Sequence, residues 1–485
     1  MGEAFHSWTR SIAAALLLSA LAAPAYAAIP KAERSTLTAF YKAAGGPKWA
    51  NRAGWLGKAG TECSWSGVRC NPAGTAVIGL VLNDNGLAGN LPASLAKLPN
   101  LQFLEMEGNA LTGPLPRELG RLASLRSLRL GLNLLSGALP RELGSLARLE
   151  ALSLPFNRLS GALPPELGRL SSLQILDVSR NGISGGIPPQ LGDLRSLRLL
   201  DLSANRLTGP VPVELGRLAG LTTLFLGSNQ LSGPIPRTLG SLKALQQLSL
   251  SDNQLTGRIP AELGSLSNLM FLDLQSNQLS GAVPARLGDA AALIALLLSK
   301  NQLAGNIPGA FLNLASVEYL WLDHNRFTGP VPFELGAMPV LADGNGLDLR
   351  FNALATDTEP GLLADLNTKQ AGGDFRASQA PAVPFDPLFP LSGLADRRKD
   401  GFVYWTLDVV AGAKPLTVAT ELGTGNADLY VRFGVPPTLS FNDAVSAGSA
   451  NQESVTIAVP RVGRYYIGLY ARAPYSGVSL RVSAP

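Results

Sequence analysis

A repeat of 24 residues constrains the fold of this chain more than any other feature. Asparagine recurs every 24 residues from Asn85 to Asn325 without a slip, and glycine and proline follow each of these eleven asparagines by four and seven residues. A degenerate twelfth unit places Asn352 three residues late. A unit of this length cannot bury its apolar side chains alone, so the units are predicted to stack into a solenoid in which each contacts its neighbours.

The pattern inside each unit predicts one short strand followed by tight bends. The residues before each asparagine follow LxxLxL, an alternation typical of a strand with one buried face. The asparagine side chain can turn inward and satisfy backbone groups of the bend. The glycine permits a conformation closed to other residues, and the proline stiffens the return segment. Stacked units therefore predict a parallel sheet over a leucine core.

The repeat resembles the plant-type subclass of leucine-rich repeats, whose hallmark is LxGxIPxxLGxLxxL. The resemblance runs unbroken over residues 77–340, and the degenerate unit extends the predicted solenoid to 77–354. It implies a right-handed solenoid with a parallel sheet on the concave face and 3₁₀ turns and short strands on the convex face. Members of that family are mainly recognition modules, such as receptor ectodomains and inhibitors of secreted enzymes.

Both ends of the solenoid need caps, because terminal leucines would otherwise meet water. Residues 28–76 are similar to the family's N-terminal cap, with CSWSGVRC at Cys63 to Cys70 and tryptophans at Trp49 and Trp55. In an exported chain we expect Cys63 and Cys70 to form a disulfide. The alternative, a zinc site, would have two thiols and no further ligand. Residues 355–385 are predicted to hold a C-terminal cap with a short helix and a proline-rich linker.

A different pattern covers residues 386–485, where short alternating runs predict a small antiparallel β-sandwich. GTGNADLYVRFG (423–434), GRYYIGLYA (463–471) and YSGVSLRV (475–482) resemble the bacterial pre-peptidase C-terminal domain. That resemblance implies a bacterial source and a domain found at the ends of secreted proteins, often proteases. Some members bind calcium, and some relatives bind polymers such as collagen. Asn426 stands where the family commonly has an acidic residue, which leaves Asp428 as a weak calcium candidate.

The N-terminus predicts export. Residues 1–27 have the form of a signal peptide, with Arg10 before an apolar run and Ala25-Tyr26-Ala27 as a cleavage pattern. The alternative, a membrane anchor, needs a longer apolar run. We therefore expect a secreted or cell-surface protein without a membrane span. The formal net charge of +5 is not clustered, so nucleic acid is not an expected partner. We expect a monomer and no cofactor beyond the calcium considered above.

The open strand positions, which lie six, four and two residues before each asparagine, are the candidate ligand-binding surface. Aromatic and polar side chains gather there in the C-terminal half of the repeats, as binding hot spots do. The candidate residues are Phe225, Phe271, Asp273, Tyr319, Trp321, Asp323 and His324. The alternative is structural: Asp273 belongs to a common LDLS-type repeat position, and the aromatic rings can pack on one another.

Three functions are compatible with the sequence. We expect a non-catalytic recognition protein that binds a protein ligand through the concave face. One alternative is a surface adhesin or polysaccharide binder that uses the C-terminal domain, and another is a secreted hydrolase or its accessory.

An enzyme is disfavoured because no familiar catalytic motif is present. Ser299, Asp323 and His324 can be drawn as a triad on adjacent strands. However, Asp323 and His324 are sequence neighbours, and alternation along a strand predicts that their side chains point to opposite sides. We therefore predict no catalytic residues.

Overall fold

The computed structural model describes residues 28–332, 335, 338, 340–354, 360–371, 375–379, 391–396, 401–409, 415–421, 424–433, 444–447, 453–458, 460 and 463–483. The predicted signal peptide and residues 355–359, 372–374 and 380–385 of the predicted cap and linker lie outside these ranges. No helix in the described part of the chain combines the length and apolar character needed to cross a bilayer.

Each repeat contributes one three-residue strand to a long sheet, and the LxxLxL pattern explains its register. The central leucine of each strand is buried and lies beside the leucine of the next level, as Leu104 does beside Leu128. The repeat strands pair in parallel, and the first strand of the sheet pairs antiparallel with the second. The strands of this concave sheet are Val68–Cys70, Val77–Val81, Phe103–Glu105, Ser127–Arg129, Ala151–Ser153, Ile175–Asp177, Leu199–Asp201, Thr223–Phe225, Gln247–Ser249, Phe271–Asp273, Ala295–Leu297, Tyr319–Trp321 and Leu347–Asp348.

A second parallel sheet forms where the chain leaves each asparagine. The glycine four residues after the asparagine has a positive φ in all eleven regular repeats, from Gly89 to Gly329, which confirms its predicted role. The strands of this second sheet are Ala88–Asn90, Ala110–Pro114, Leu134–Ala138, Arg158–Ala162, Gly182–Gly185, Arg206–Gly209, Gln230–Pro234, Gln254–Gly257, Gln278–Gly281, Gln302–Gly305, Arg326–Gly329 and Ala353–Leu354.

A 3₁₀ helix closes each turn of the solenoid, and the repeat proline stands immediately before it. Pro212, for example, precedes the 3₁₀ helix Val213–Arg217, in which Leu215 is buried. The 3₁₀ helices of the repeats are Ala93–Lys97, Arg117–Arg121, Arg141–Ser145, Pro165–Arg169, Pro189–Asp193, Val213–Arg217, Arg237–Ser241, Ala261–Ser265, Ala285–Asp289 and Gly309–Asn313. The leucine-rich-repeat solenoid predicted from the sequence is thereby confirmed.

The repeat asparagines form the predicted ladder between the two sheets. Nδ2 of Asn253 donates to the backbone carbonyls of Leu226, Leu250 and Ser251 at 3.0–3.1 Å. Its Oδ1 accepts from the backbone N–H of Leu231 at 2.9 Å. The same four hydrogen bonds recur at other levels. Each asparagine amide therefore joins two repeats and also bonds to the backbone carbonyls of the bend in its own repeat.

The ends of the solenoid carry helices. At the N-terminal end, the helix Lys31–Ala43 packs Phe40 and Tyr41 against Trp49 and Trp55, and 3₁₀ helices lie at Gly46–Lys48 and Glu62–Ser64. The predicted disulfide between Cys63 and Cys70 is confirmed. At the other end, the helix Pro360–Lys369 and the 3₁₀ helix Phe375–Ser378 follow the last strands.

The C-terminal region is antiparallel, as predicted, and is organised by one long strand. Gly463–Ser483 pairs with four other strands, two along its first half and two along its second. In the sequence, residues 464–472 and 478–483 alternate as two separate short strands, whereas the structure joins them into one. The other strands of this region are Leu391–Asp396, Gly401–Val409, Leu416–Glu421, Thr424–Phe433, Ala444–Ser446 and Glu453–Ile457.

Candidate functional site

The concave sheet presents two columns of outward side chains, on either side of its buried central leucines. Four positions before each asparagine, the register runs Asp201, Phe225, Ser249, Asp273 and onward to Trp321. These side chains are half-buried, because neighbours within the same column flank each of them. The predicted candidate surface is therefore a regular array whose chemistry changes from level to level.

Tyr319 and Trp321 are the part of the predicted surface that the fold brings together. Their ring centroids lie 6.5 Å apart, with the rings nearly perpendicular at 89°. Both side chains are half-buried, and Nε1 of Trp321 donates to the carbonyl of Asn345 at 2.9 Å. A Trp ring held by its own hydrogen bond offers a fixed apolar surface, and this arrangement loses little entropy when a ligand covers it.

Phe225 and Phe271 do not join this pair. Phe225 lies four levels from Trp321 in the same column, or roughly 19 Å at the usual strand spacing. Phe271 lies two levels from Tyr319, with Ala295 between them. The four aromatic residues therefore line the concave face at intervals and form no single cluster.

The bonds of Asp273 are those of a structural turn residue. Its Oδ1 accepts from the backbone N–H and the side chain of Gln275, at 3.2 and 3.1 Å, and Oδ2 accepts from Ser249 at 3.2 Å. Asp201 makes the same backbone contact with Ser203 two residues later. The repeated contact supports the structural alternative for Asp273.

Ser299, Asp323 and His324 do lie together, but in an order that does not make a triad. The Ser299 hydroxyl donates to Oδ1 of Asp323, and Nδ1 of His324 lies 2.7 Å from Oδ2 of the same carboxylate. A triad requires the histidine between the aspartate and the serine, whereas here the aspartate stands in the middle. Burial disfavours the charged form of Asp323, but the bonds from His324 and Ser299 outweigh it and lower the pKa of this carboxyl.

The predicted opposite orientation of Asp323 and His324 is wrong. His324 has left-handed backbone torsion, with φ of 52°, because it stands in the bend that precedes the asparagine. Strand alternation has ended there, so the imidazole turns back to the carboxylate of Asp323. The His324 ring also lies 4.2 Å from the Phe351 ring of the next level.

Asp348, Arg350 and Phe351 of the degenerate repeat extend this surface, although none of them was among the candidates chosen from the sequence. Arg350 donates to both carboxylate oxygens of Asp348, at 2.9 and 2.6 Å, and both residues adjoin the level of Tyr319 and Trp321. The ion pair raises the pKa of Arg350 further. The signal was available: counting back from the displaced Asn352 places Asp348, Arg350 and Phe351 at the open and bend positions.

A pair of carboxylates lies nearer the middle of the concave face. Asp177 and Asp201 are directly opposite on adjacent strands. Burial and the neighbouring Asp177 charge raise the pKa of Asp201 to about 7, against weaker opposing effects of Ser203 and Arg180. This part of the face therefore changes charge near neutral pH.

Family models match both regions of the chain. Leucine-rich-repeat models match residues 219–279 and, separately, 100–122, 172–194, 196–218 and 316–338. The bacterial pre-peptidase C-terminal domain model matches residues 401–471. This chain is a leucine-rich-repeat protein that carries a pre-peptidase C-terminal domain.

Solved structures similar to this leucine-rich-repeat protein come mostly from plants. The Arabidopsis receptor kinase HAESA, solved with the peptide hormone IDA and a co-receptor, is 34% identical, with a TM-score of 0.57; the match covers 62% of this chain and 51% of that one. A plant ice-binding protein is 31% identical, with a TM-score of 0.52, and the match covers 62% of this chain and 95% of that one.

Curated relatives of the leucine-rich-repeat protein are bacterial proteases. Alkaline serine exoprotease A of Vibrio alginolyticus is 34% identical over 125 residues, which are 25% of this chain and 23% of the protease. The chain spans between 7% and 36% of the length of the curated relatives that it matches. The likeness therefore covers only a minor part of most of these proteases.

The calcium candidate of the leucine-rich-repeat protein stays a prediction. Asp428 is completely buried in the strand Thr424–Phe433. Calcium takes six to eight oxygen ligands. Among the residues that the structure describes, no three or more His, Cys, Asp or Glu side chains lie close enough to hold a metal. We derive no role for calcium at Asp428.

Proposed function

We propose that this chain is an exported, non-catalytic recognition protein that binds a protein or peptide ligand through the concave face of its repeats. The observation that carries the proposal is the Tyr319–Trp321 pair, half-buried and held edge to face beside the Asp348–Arg350 ion pair. Aromatic and arginine side chains in one fixed patch are the usual composition of a protein-binding hot spot. The similar structure of HAESA is a complex with a peptide hormone, which supports a peptide or protein ligand.

The arrangement of hydrogen bonds around Ser299 supports the non-catalytic part of the proposal. Its hydroxyl donates to the Asp323 carboxylate, so His324 is not placed to remove the proton of this serine. Export is supported by the Cys63–Cys70 disulfide and by the extracellular protease among the curated relatives. Hydrolysis of peptide, ester or glycoside substrates by the purified chain, if abolished by His324→Ala, would contradict the non-catalytic assignment.

Affinity capture with matched variants tests the binding surface. The full chain, the double variant Tyr319→Ala plus Trp321→Ala, and the control Val213→Ala plus Arg237→Ala are immobilised and exposed to culture medium or host extract. The control alters exposed side chains of two 3₁₀ helices, outside the concave sheet. We expect a protein retained by the wild type and by the control to be lost from the aromatic variant, with the melting temperature unchanged.

Once the ligand is identified, we expect the aromatic variant to bind it at least tenfold more weakly than the wild type does. The reason is that a hot-spot aromatic side chain contributes roughly 2 kcal/mol or more to the binding free energy. Equal retention by the wild type and the aromatic variant would remove Tyr319 and Trp321 from the binding surface.

A further inference from the structure

A second group of exposed side chains lies at the edge of the solenoid, far from the aromatic pair. Leu132, Leu134 and Phe156 are exposed by 52%, 36% and 38%, although every other leucine of their repeats is buried. Arg158 and Arg180 are exposed beside them. We call these five residues the lateral patch. Seven repeats separate Phe156 from Tyr319, or roughly 34 Å along the stack at the usual strand spacing.

The lateral patch is contiguous across three levels of the solenoid. The backbone N–H of Leu132 donates to Pro155 at 2.8 Å, and that of Asn133 donates to Phe156 at 3.2 Å. The Leu132 and Phe156 side chains therefore leave neighbouring bends, and Leu134 leaves the second sheet immediately beyond. The guanidinium of Arg180 lies 4.8 Å from the centre of the Phe156 ring, a cation–π distance that holds the ring at the surface.

The backbone at these positions is unfavourable for the residues that occupy them. Leu132 and Phe156 both have a φ of 54°, in the left-handed region that suits glycine and asparagine and strains bulky side chains. Apart from Phe351, the equivalent bends of the other repeats hold small, polar or charged residues, among them Asp84, Gly108 and Ser228. Folding of the solenoid therefore does not require a leucine or a phenylalanine at either position, and their exposure removes any contribution to the core.

We propose that the lateral patch anchors an extended segment of a partner protein in which an apolar side chain is followed by a carboxylate. The apolar side chain covers Leu132, Leu134 and Phe156, and the carboxylate pairs with Arg158 and Arg180. The charge complementarity follows from these two arginines, which border the apolar surface on the side of the next repeats. Arginine is suited to carboxylates because its guanidinium can donate two parallel hydrogen bonds.

The test uses the full chain and defined probes. A fluorescent eight-residue peptide of alternating glutamate and phenylalanine is titrated by anisotropy, together with a lysine–phenylalanine and a glutamate–serine peptide. We expect the glutamate–phenylalanine peptide to bind at least fivefold more tightly than either of the others. No binding of this peptide, or equal binding of the lysine peptide, would overturn the proposal.

Substitution to asparagine separates binding from folding. Leu132→Asn plus Phe156→Asn places a residue suited to left-handed torsion at both bends, so we expect the melting temperature to be maintained or raised while peptide affinity falls at least tenfold. The matched control is Ala204→Asn plus Ser228→Asn, which changes the same bend position in two later repeats. It is expected to leave peptide affinity unchanged.

Two further outcomes identify a different occupant or a different site. If sedimentation shows a wild-type dimer that the asparagine variant abolishes, a second copy of this chain covers the lateral patch and the proposal is overturned. If the Tyr319→Ala plus Trp321→Ala variant no longer binds the peptide but the asparagine variant still does, the lateral patch is not the peptide-binding site. That outcome would support the function proposed for the concave face.

Discussion

The residue before each repeat asparagine has left-handed torsion at all twelve levels, whatever its type. Apart from Gly108, the positions hold charged, small, aliphatic and aromatic side chains, from Asp84 to Phe351. A non-glycine residue in this region costs roughly 1–2 kcal/mol. Because the asparagine amide bonds to the carbonyls two and three residues before it, the ladder imposes the bend on whatever residue stands there. The ladder therefore offers one outward position per repeat where side-chain chemistry is free to vary.

At the same scale, Asp201 is expected to make the stability of the chain depend on pH near neutrality. The folded state holds its proton up to a pKa of about 7, whereas the unfolded chain releases it near the ordinary value of 3.8. Between these two values the folded state binds more protons, so stability falls as the pH rises and stays lower above 7. Asp201→Asn keeps the Oδ1 acceptor for Ser203 and removes this loss.

The expected gain for Asp201→Asn is on the order of 1 kcal/mol or more at pH 8, and it should shrink towards zero at pH 4. Thermal melts of both proteins across this range measure it. The control is Gln247→Asn, at a half-buried outward position that carries no titratable group, which should show no such trend. A difference between Asp201→Asn and wild type that does not vary with pH would refute this explanation.

The sequence predicts the repeating residues well and the bends poorly, for a physical reason. The leucines, the asparagine and the glycine recur at fixed spacing, so their inward positions follow from periodicity. The orientation of His324 does not, because strand alternation stops before the bend and the bend accepts any residue type. For the same reason the exposure of Leu132 and Phe156 is recognisable only once the left-handed position is known.

At the scale of elements, close stacking of the 3₁₀ helices places a second requirement on glycine. A Cβ added to Gly192, in the helix Pro189–Asp193, would lie 2.4 Å from the carbonyl oxygen of Glu214 in the next helix. The two sheets hold both helices at a fixed separation, so little movement can relieve the contact. A glycine is therefore required in the LGxL segment, because a larger residue would force neighbouring 3₁₀ helices further apart.

Gly192→Ala is therefore expected to lower the free energy of unfolding by about 1–3 kcal/mol, as overpacking commonly does. Chemical denaturation followed by circular dichroism measures the effect. Gly309→Ala is the control, because a Cβ at the start of the helix Gly309–Asn313 would meet no atom within 4 Å. It should change stability by less than about 0.5 kcal/mol. Equal effects of the two substitutions would show that helix spacing is not the cause.

The long strand Gly463–Ser483 shows what periodicity cannot predict at this scale. Both halves alternate as strands do, and the intervening ARAPYSG resembles a turn in composition. The backbone nevertheless stays extended because residues of the middle pair with Leu391–Asp396 and Thr424–Phe433. Such pairing depends on partners distant in the sequence, whereas the repeat strands pair with the neighbouring unit.

At the scale of the whole molecule, stability is expected to be a sum over neighbouring repeats rather than a property of one core. The N-terminal cap is the point where this can be tested. Trp49 and Trp55 pack against Phe40 and Tyr41, and Trp65 packs against Trp55, at centroid distances of 5.0–6.3 Å. The Cys63–Cys70 disulfide closes the adjoining segment. Removing the disulfide weakens this end and leaves the asparagine ladder untouched.

Cys63→Ser plus Cys70→Ser should therefore destabilise the cap by about 2–3 kcal/mol, the loop-closure value for so short a segment. Hydrogen exchange read by mass spectrometry should show lost protection in the cap and the first repeats, with protection around Asn253 retained, because each level depends mainly on its neighbours. An equal loss of protection at all levels would mean that the repeats unfold as one unit. In that case a cap variant would also disturb the distant Tyr319–Trp321 pair, and ligand binding at the concave face would fall with the loss of the disulfide.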